Sequence, residues 1–172
     1  NPIFTLNAFA FSAEGETDPI FEGIPDKMVF GEGLTEALDA LSLGSPGAKA
    51  IVGHEMAHHV QFEQDLFDSP LTGPEATRRT ELMADAFGTY FVAHKRGFGM
   101  KGVQLHKAEQ AFFEVGDCAF DSNGHHGTPN QRKALVEALV ELEAGLEVDV
   151  GHDPAREEAA VLETVATGEA VP

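Results

Sequence analysis

Ala50-Ile51-Val52-Gly53-His54-Glu55-Met56-Ala57-His58-His59-Val60 decides the reading of this chain. It contains H-E-x-x-H. On a helix, His54 and His58 lie one turn apart on one face. Glu55 is turned about 60° from His58, next to both imidazoles. Two neutral imidazoles at this spacing suit zinc. The carboxylate beside them can take a proton from an attacking water without itself being a ligand. The flanks are apolar and helix-compatible. Ser45 with Pro46 after it suits the helix start, and the helix is expected to run to about Leu66.

A third ligand is expected from the next helix, which the pattern places from Glu75 to about Lys95, with Arg96-Gly97 as its stop. It carries Glu81-Leu82-Met83-Ala84-Asp85. Glu81 and Asp85 are four apart and share a face. Three protein ligands and one open position make a catalytic zinc site, so Glu81 is read as the third ligand after His54 and His58. Asp85, one turn on, is read as the acceptor for the free ring nitrogen of His54, fixing its tautomer and orientation. Leu82, Met83, Ala84, Ala86 and Phe87 make this a buried helix, where unpaired acids are costly. Gly88 permits close approach to a neighbouring helix.

Upstream, Ile3 to Phe11 reads as a strand with Ile3, Phe9 and Phe11 on one face. Such a strand can present backbone groups to an extended peptide. Residues 12–25 read as loop, and Lys27 to Phe30 as a second strand. Thr35 is expected to cap a helix running to about Leu43. Downstream, helices are expected from Val103 to Val115 and, after the Thr128-Pro129 start, to about Ala144. Leu135, Ala138, Leu139 and Leu142 form the apolar stripe of the last one. Gly97 to Gly102 matches G-x-G-x-x-G by letter, but it follows a helix rather than a strand, so a dinucleotide site is not expected.

The 172 residues carry 29 acidic and 11 basic side chains, a formal net charge of −18. That balance argues against nucleic acid and anionic membranes as partners. Nothing in the sequence approaches a membrane span. Cys118 is the single cysteine, so there is no internal disulfide and no cysteine zinc finger. The chain begins at Asn1 rather than Met and reads as a fragment or processed form. An exported location, periplasmic, secreted or lipid-anchored, is compatible with a leader removed before that point.

H-E-x-x-H followed by E-x-x-x-D on the next helix resembles the gluzincin metallopeptidases. Asn7-Ala8-Phe9-Ala10 is similar to the Asn-Ala-Phe strand of the small, minimal gluzincins. His54 to Gln61, Glu81 to Asp85, and His126-Gly127-Thr128-Pro129-Asn130-Gln131-Arg132 also resemble segments of the bacterial neutral zinc metallopeptidases. In those proteins an acid is expected after Gly116-Asp117, where this chain has Cys118. The resemblance implies an α+β, zincin-like domain over residues 1–146: a small N-terminal sheet, an active-site helix, a glutamate helix and further packing helices. Residues 147–172 are left as an acidic tail or packing arm. It also implies zinc as cofactor, a peptide or protein as substrate, and peptide-bond hydrolysis with Glu55 as general base. The developing oxyanion needs a further donor. His126 leads by the resemblance and because it precedes a helix start, with Tyr90, His125 and Arg132 as rivals. His59 points off the ligand face, and His94, His106 and His152 lie outside any motif.

Other chemistries fit poorly. A di-iron bundle needs two E-x-x-H copies, and only Glu55 to His58 supplies one. There is no G-x-S-x-G for a serine hydrolase. Residues 117–124 lack the alternating acids of a calcium loop. The remaining alternative is a zincin-like domain that binds metal or a partner without turnover.

Overall fold

The computed structural model describes residues 5–13 and 17–148. Among them are two strands, β1 (Ala8–Phe11) and β2 (Lys27–Phe30), and a 3-10 turn at Pro19–Phe21. Five helices follow: α1 (Glu32–Ala40), α2 (Gly44–Glu63), α3 (Pro74–Ala93), α4 (Val103–Glu114) and α5 (Pro129–Val148). The architecture is α+β, a two-stranded antiparallel sheet beside a helical body.

Local signals explain where most elements begin. Pro74 opens α3, where a missing N–H costs nothing, with Glu75 at the positive end of the helix. Thr128 and Gln131 form a reciprocal cap at the start of α5: Thr128 Oγ1 accepts from the Gln131 N–H, and Gln131 Oε1 accepts from the Thr128 N–H. α5 continues to Val148, about one turn past the expected end. The proposed tail therefore begins inside this helix, and its remainder, residues 149–172, lies outside the described residues.

Two local expectations are corrected. Thr35 does not cap α1. The helix already begins at Glu32 behind an extended Gly31, and the Thr35 hydroxyl donates back to the Glu32 carbonyl. The first strand starts only at Ala8, and Leu6 lies in a bend before it. Ile3 is outside the described residues.

β1 pairs with β2 so that Ala8 faces Phe30 and Phe11 faces Lys27. The Gly31 N–H donates to the Asn7 carbonyl at 2.8 Å, continuing the ladder. In an antiparallel ladder, bonded and non-bonded residues alternate. Asn7, Phe9 and Phe11 therefore turn their main chain toward β2. Ala8 and Ala10 turn theirs outward, along the edge that faces α2.

α2 runs through the middle of the molecule and packs on α1, α3, α4 and β1. Its Ala50 and Ile51 join Val92 of α3, Ala108 and Phe112 of α4 and Val136 of α5 in one apolar core. The closest helix pairing is set by two glycines. A Cβ on Gly88 would lie 2.9 Å from the His54 nitrogen, and one on Gly53 would lie 3.1 Å from the Gly88 carbonyl oxygen. Gly88 was expected to allow close approach, and Gly53 is its partner. This contact brings α3 against the turn of α2 that carries His54. Among the described residues, no helix is long and apolar enough to cross a membrane.

Candidate metal centre

His54 and His58 project from α2 and Glu81 from the facing turn of α3, with one donor atom of each within 4.8 Å of the others. His54 Nε2 is 3.1 Å from His58 Nε2 and 3.2 Å from Glu81 Oε2, and His58 Nε2 is 3.6 Å from Glu81 Oε1. A tetrahedral ion with ligands roughly 2.0–2.1 Å away sets its donors roughly 3.3–3.4 Å apart, close to the separations of His54 Nε2 from His58 Nε2 and from Glu81 Oε2.

Hydrogen bonds behind the two rings determine what faces the centre. His54 Nδ1 is 2.8 Å from Asp85 Oδ1. The same oxygen accepts from Arg132 at 2.6 Å, so toward His54 it is again the acceptor and Nδ1–H the donor. His58 Nδ1 is 2.7 Å from Gln61 Oε1. Gln61 Nε2 donates to the Thr80 carbonyl at 2.8 Å, so its oxygen must face His58, which in turn donates from Nδ1. In neutral rings both protons are on Nδ1, and both Nε2 lone pairs converge on the same point beside a carboxylate. Glu81 Oε2 is buried there, 3.2 Å from His54 Nε2 and with no other partner. Three converging electron-pair donors with no proton among them are stable together only around a cation, so the residues present fit zinc.

The proton affinities point the same way. Burial lowers the His54 pKa, but hydrogen bonds to Asp85 and Glu81 outweigh it and raise the pKa to about 9. For Glu81, burial favours the neutral acid, yet contact with His54 and the charges of His58 and His126 bring it down to about 2. His58 is lowered by burial and by the charge on His54. Without a metal, one proton on His54 serves as the cation of the site.

Glu55 is buried beside this group and belongs to no ligand cluster among the described residues. Its pKa is raised, first by burial and also by the nearby Glu81 charge. The Ala10 N–H, donated from the outward edge of β1, is one of the contacts that oppose the rise. The cleft over the centre has a volume of about 620 Å³ and is walled by β1 on one side.

His126 lines this cleft with its side chain about half exposed. Asp117 holds it: one carboxylate oxygen accepts the His126 backbone N–H at 2.8 Å and is 3.3 Å from its Nδ1. The other oxygen is 2.6 Å from Nδ1 of His125. Burial raises the Asp117 pKa, but these donors and the Ala119 N–H hold the carboxyl well below the usual range. Among the rivals, His125 is fully buried behind His126 and does not line the cleft. Tyr90 stacks on His94, away from it. Arg132 reaches the cleft wall, but its guanidinium is buried and committed to Asp85. His59 packs on Phe62, and His106 is a surface residue. His152 is outside the described residues.

Three contributors went unread in the sequence. Gln61 was readable in principle, being three residues after His58 on a helix and so on the same side. Asp117 had only the weak signal of an acid in a loop before a His-His pair. The Arg132–Asp85 pair joins residues 47 apart and has no local signature. The comparisons add no relative: no protein-family model, no curated protein and no solved structure matches this chain.

Proposed function

We propose that this chain is a zinc-dependent peptidase of zincin-like architecture, hydrolysing peptide bonds with Glu55 as general base. The observation that carries this reading is the convergence of two imidazoles, each held behind through Nδ1, on one buried carboxylate, with a further carboxylate beside them that is not part of the set. His54, His58 and Glu81 would hold the ion, leaving its fourth side open to the cleft. When bound, zinc supplies Lewis acidity, polarising a carbonyl and lowering the pKa of water.

The chain's own residues supply the rest. The outward main chain of Ala8 and the Ala10 carbonyl border the cleft and can pair with an extended peptide as an added strand. The Ala10 N–H also holds the Glu55 carboxylate at that edge. Glu55 accepts the proton of the attacking water and passes it to the leaving amine, and its raised pKa suits both transfers. His126, held through Nδ1 by Asp117, donates from Nε2 in its protonated form to the negative charge growing on the carbonyl oxygen.

The test combines zinc content with hydrolysis of a quenched peptide library. The expected result is one zinc per chain, with hydrolysis abolished by a chelator and restored by zinc. Stoichiometric zinc without cleavage of any peptide would leave a metal-binding domain without turnover.

A further inference from the structure

The cleft has two ends along α2, and they differ in chemistry. The lining positions on this helix follow one face in the order Ile51, His54, Glu55, His58, Phe62. Ile51 and Phe62 are eleven residues apart, or roughly 16 Å along the axis, with the metal centre between them. Beyond His58 the wall is aromatic, with Phe62 and Phe67 at a ring separation of 5.0 Å. Before His54 the wall is aliphatic: Leu34, Ile51 and Val115 belong to one packed cluster. This aliphatic end is bordered by a carboxylate, Glu114, next in sequence to Val115.

The charge of Glu114 is uncompensated. A divalent ion and Arg132 together balance Glu55, Glu81 and Asp85, before Glu114 is counted. With those charges matched, the deep part of the site is close to neutral. The hydrogen-bond partner of Glu114 is the neutral amide of Gln110, at 2.6 Å, and it makes no ion pair among the described residues. It is exposed, so its charge is turned to solvent and to whatever occupies the cleft. It also stands in the last turn of α4, where the unpaired carbonyls form the negative end of the helix dipole. An aliphatic wall ending in an anion matches one kind of side chain: a long apolar stem with a cationic head, which is lysine or arginine.

We propose that the Ile51 end of the cleft is a subsite for a basic residue of the peptide, with the stem against Leu34, Ile51 and Val115 and the cationic head at Glu114. This rests on the peptidase reading and assigns its substrate class: peptides carrying lysine or arginine next to the cleaved bond. Acidic side chains at that position are disfavoured by the same charge.

The test uses a quenched peptide series identical except for one position beside the cleaved bond, filled in turn by Lys, norleucine and Glu. Each peptide is offered to the zinc-loaded wild-type protein and to the Glu114→Gln and Glu114→Lys variants. Binding of the same peptides is measured in parallel on zinc-loaded Glu55→Gln, with and without Glu114→Lys. The wild type is expected to prefer Lys over Glu by roughly fivefold to tenfold in kcat/KM, since attraction of one and repulsion of the other add at an exposed site. Glu114→Gln should remove most of that ratio and Glu114→Lys should reverse it, while norleucine peptides respond little. Added salt should shrink the wild-type ratio. Hydrolysis whose Lys-to-Glu ratio is the same in all three proteins would overturn the subsite and leave the peptidase reading standing. No hydrolysis of any peptide, with Glu114-dependent binding of the Lys peptide, would overturn the peptidase reading and keep the subsite. Neither hydrolysis nor charge-dependent binding would overturn both.

Discussion

Asp85 Oδ1 accepts from His54 Nδ1 and from the Arg132 guanidinium at once, so a single carboxylate fixes a ligand ring and neutralises a buried cation. Asp85→Asn therefore has two expected effects. Removing one partner of a buried ion pair costs about 3 kcal/mol of stability in the metal-free protein, read by denaturant unfolding. Altering the acceptor behind His54 weakens zinc binding by about 10–100-fold, read by competition with a chelator. Unchanged zinc affinity would remove Asp85 from the metal's support. His126→Ala should lower kcat by roughly 10²-fold with zinc content and KM little changed, because the lost donor acts on the transition state. Wild-type turnover in that variant would return His126 to an ordinary loop residue. At this scale the sequence disclosed the residues that helical spacing connects. His54 and His58, and Glu81 and Asp85, are each four apart, and the structure brings the two pairs face to face. It did not disclose Asp117 behind His126 or Arg132 behind Asp85, because those partners meet only after α3, α5 and the loop before α5 have docked.

The register between α2 and α3 depends on Gly53 and Gly88 facing each other. Since a Cβ on Gly88 would meet main-chain atoms of α2 at 2.9–3.2 Å, Gly88→Ala must push the helices apart. Alanine gains helix propensity of up to about 1 kcal/mol, but overpacking against backbone costs about 1–3 kcal/mol. The expected outcome is a net loss of stability, together with weaker zinc binding as Glu81 is moved from the histidines. An unchanged Tm and unchanged zinc affinity would show that the contact is not what sets the register. Helix bodies were legible because apolar periodicity and the Pro and Gly punctuation agree, as at Pro74 and Pro129. The ends were less so. Thr35 looked like a cap, but Gly31 supplies the extended conformation and its N–H ties the helix start to Asn7 of the sheet. The first strand was over-extended because Ile3 to Phe11 is mostly apolar, whereas pairing with a four-residue β2 limits it to Ala8–Phe11.

For the molecule as a whole, pH and metal should act against each other. The His54 pKa is raised to about 9, so in the metal-free protein its stabilisation is complete below its ordinary value of 6.5 and is lost as pH rises through about 9. The Glu81 pKa is lowered to about 2, so its contribution is present above 4.5 and is lost as pH falls through about 2. The contributions of these two groups are both complete only between about 4.5 and 6.5. Zinc must displace the His54 proton, so its stabilising effect should grow with pH. Thermal unfolding with excess zinc and with chelator should give a larger difference in Tm at pH 9 than at pH 6. A difference that shrinks with pH would contradict the assignment of His54 as a ligand. The α+β architecture was legible from the order of elements, and the small size of the sheet followed from having just two short apolar runs before the helices. The most direct measurement is peptide hydrolysis by purified, zinc-loaded Glu55→Gln beside the wild type at equal metal content. Glutamine keeps the size and shape of Glu55 and cannot accept the proton. The expected result is cleavage by the wild type and a fall in the variant by a factor on the order of 10²–10⁴, with zinc stoichiometry unchanged. Near-normal hydrolysis by Glu55→Gln, or none by the wild type, would contradict a zinc peptidase that works through this carboxylate.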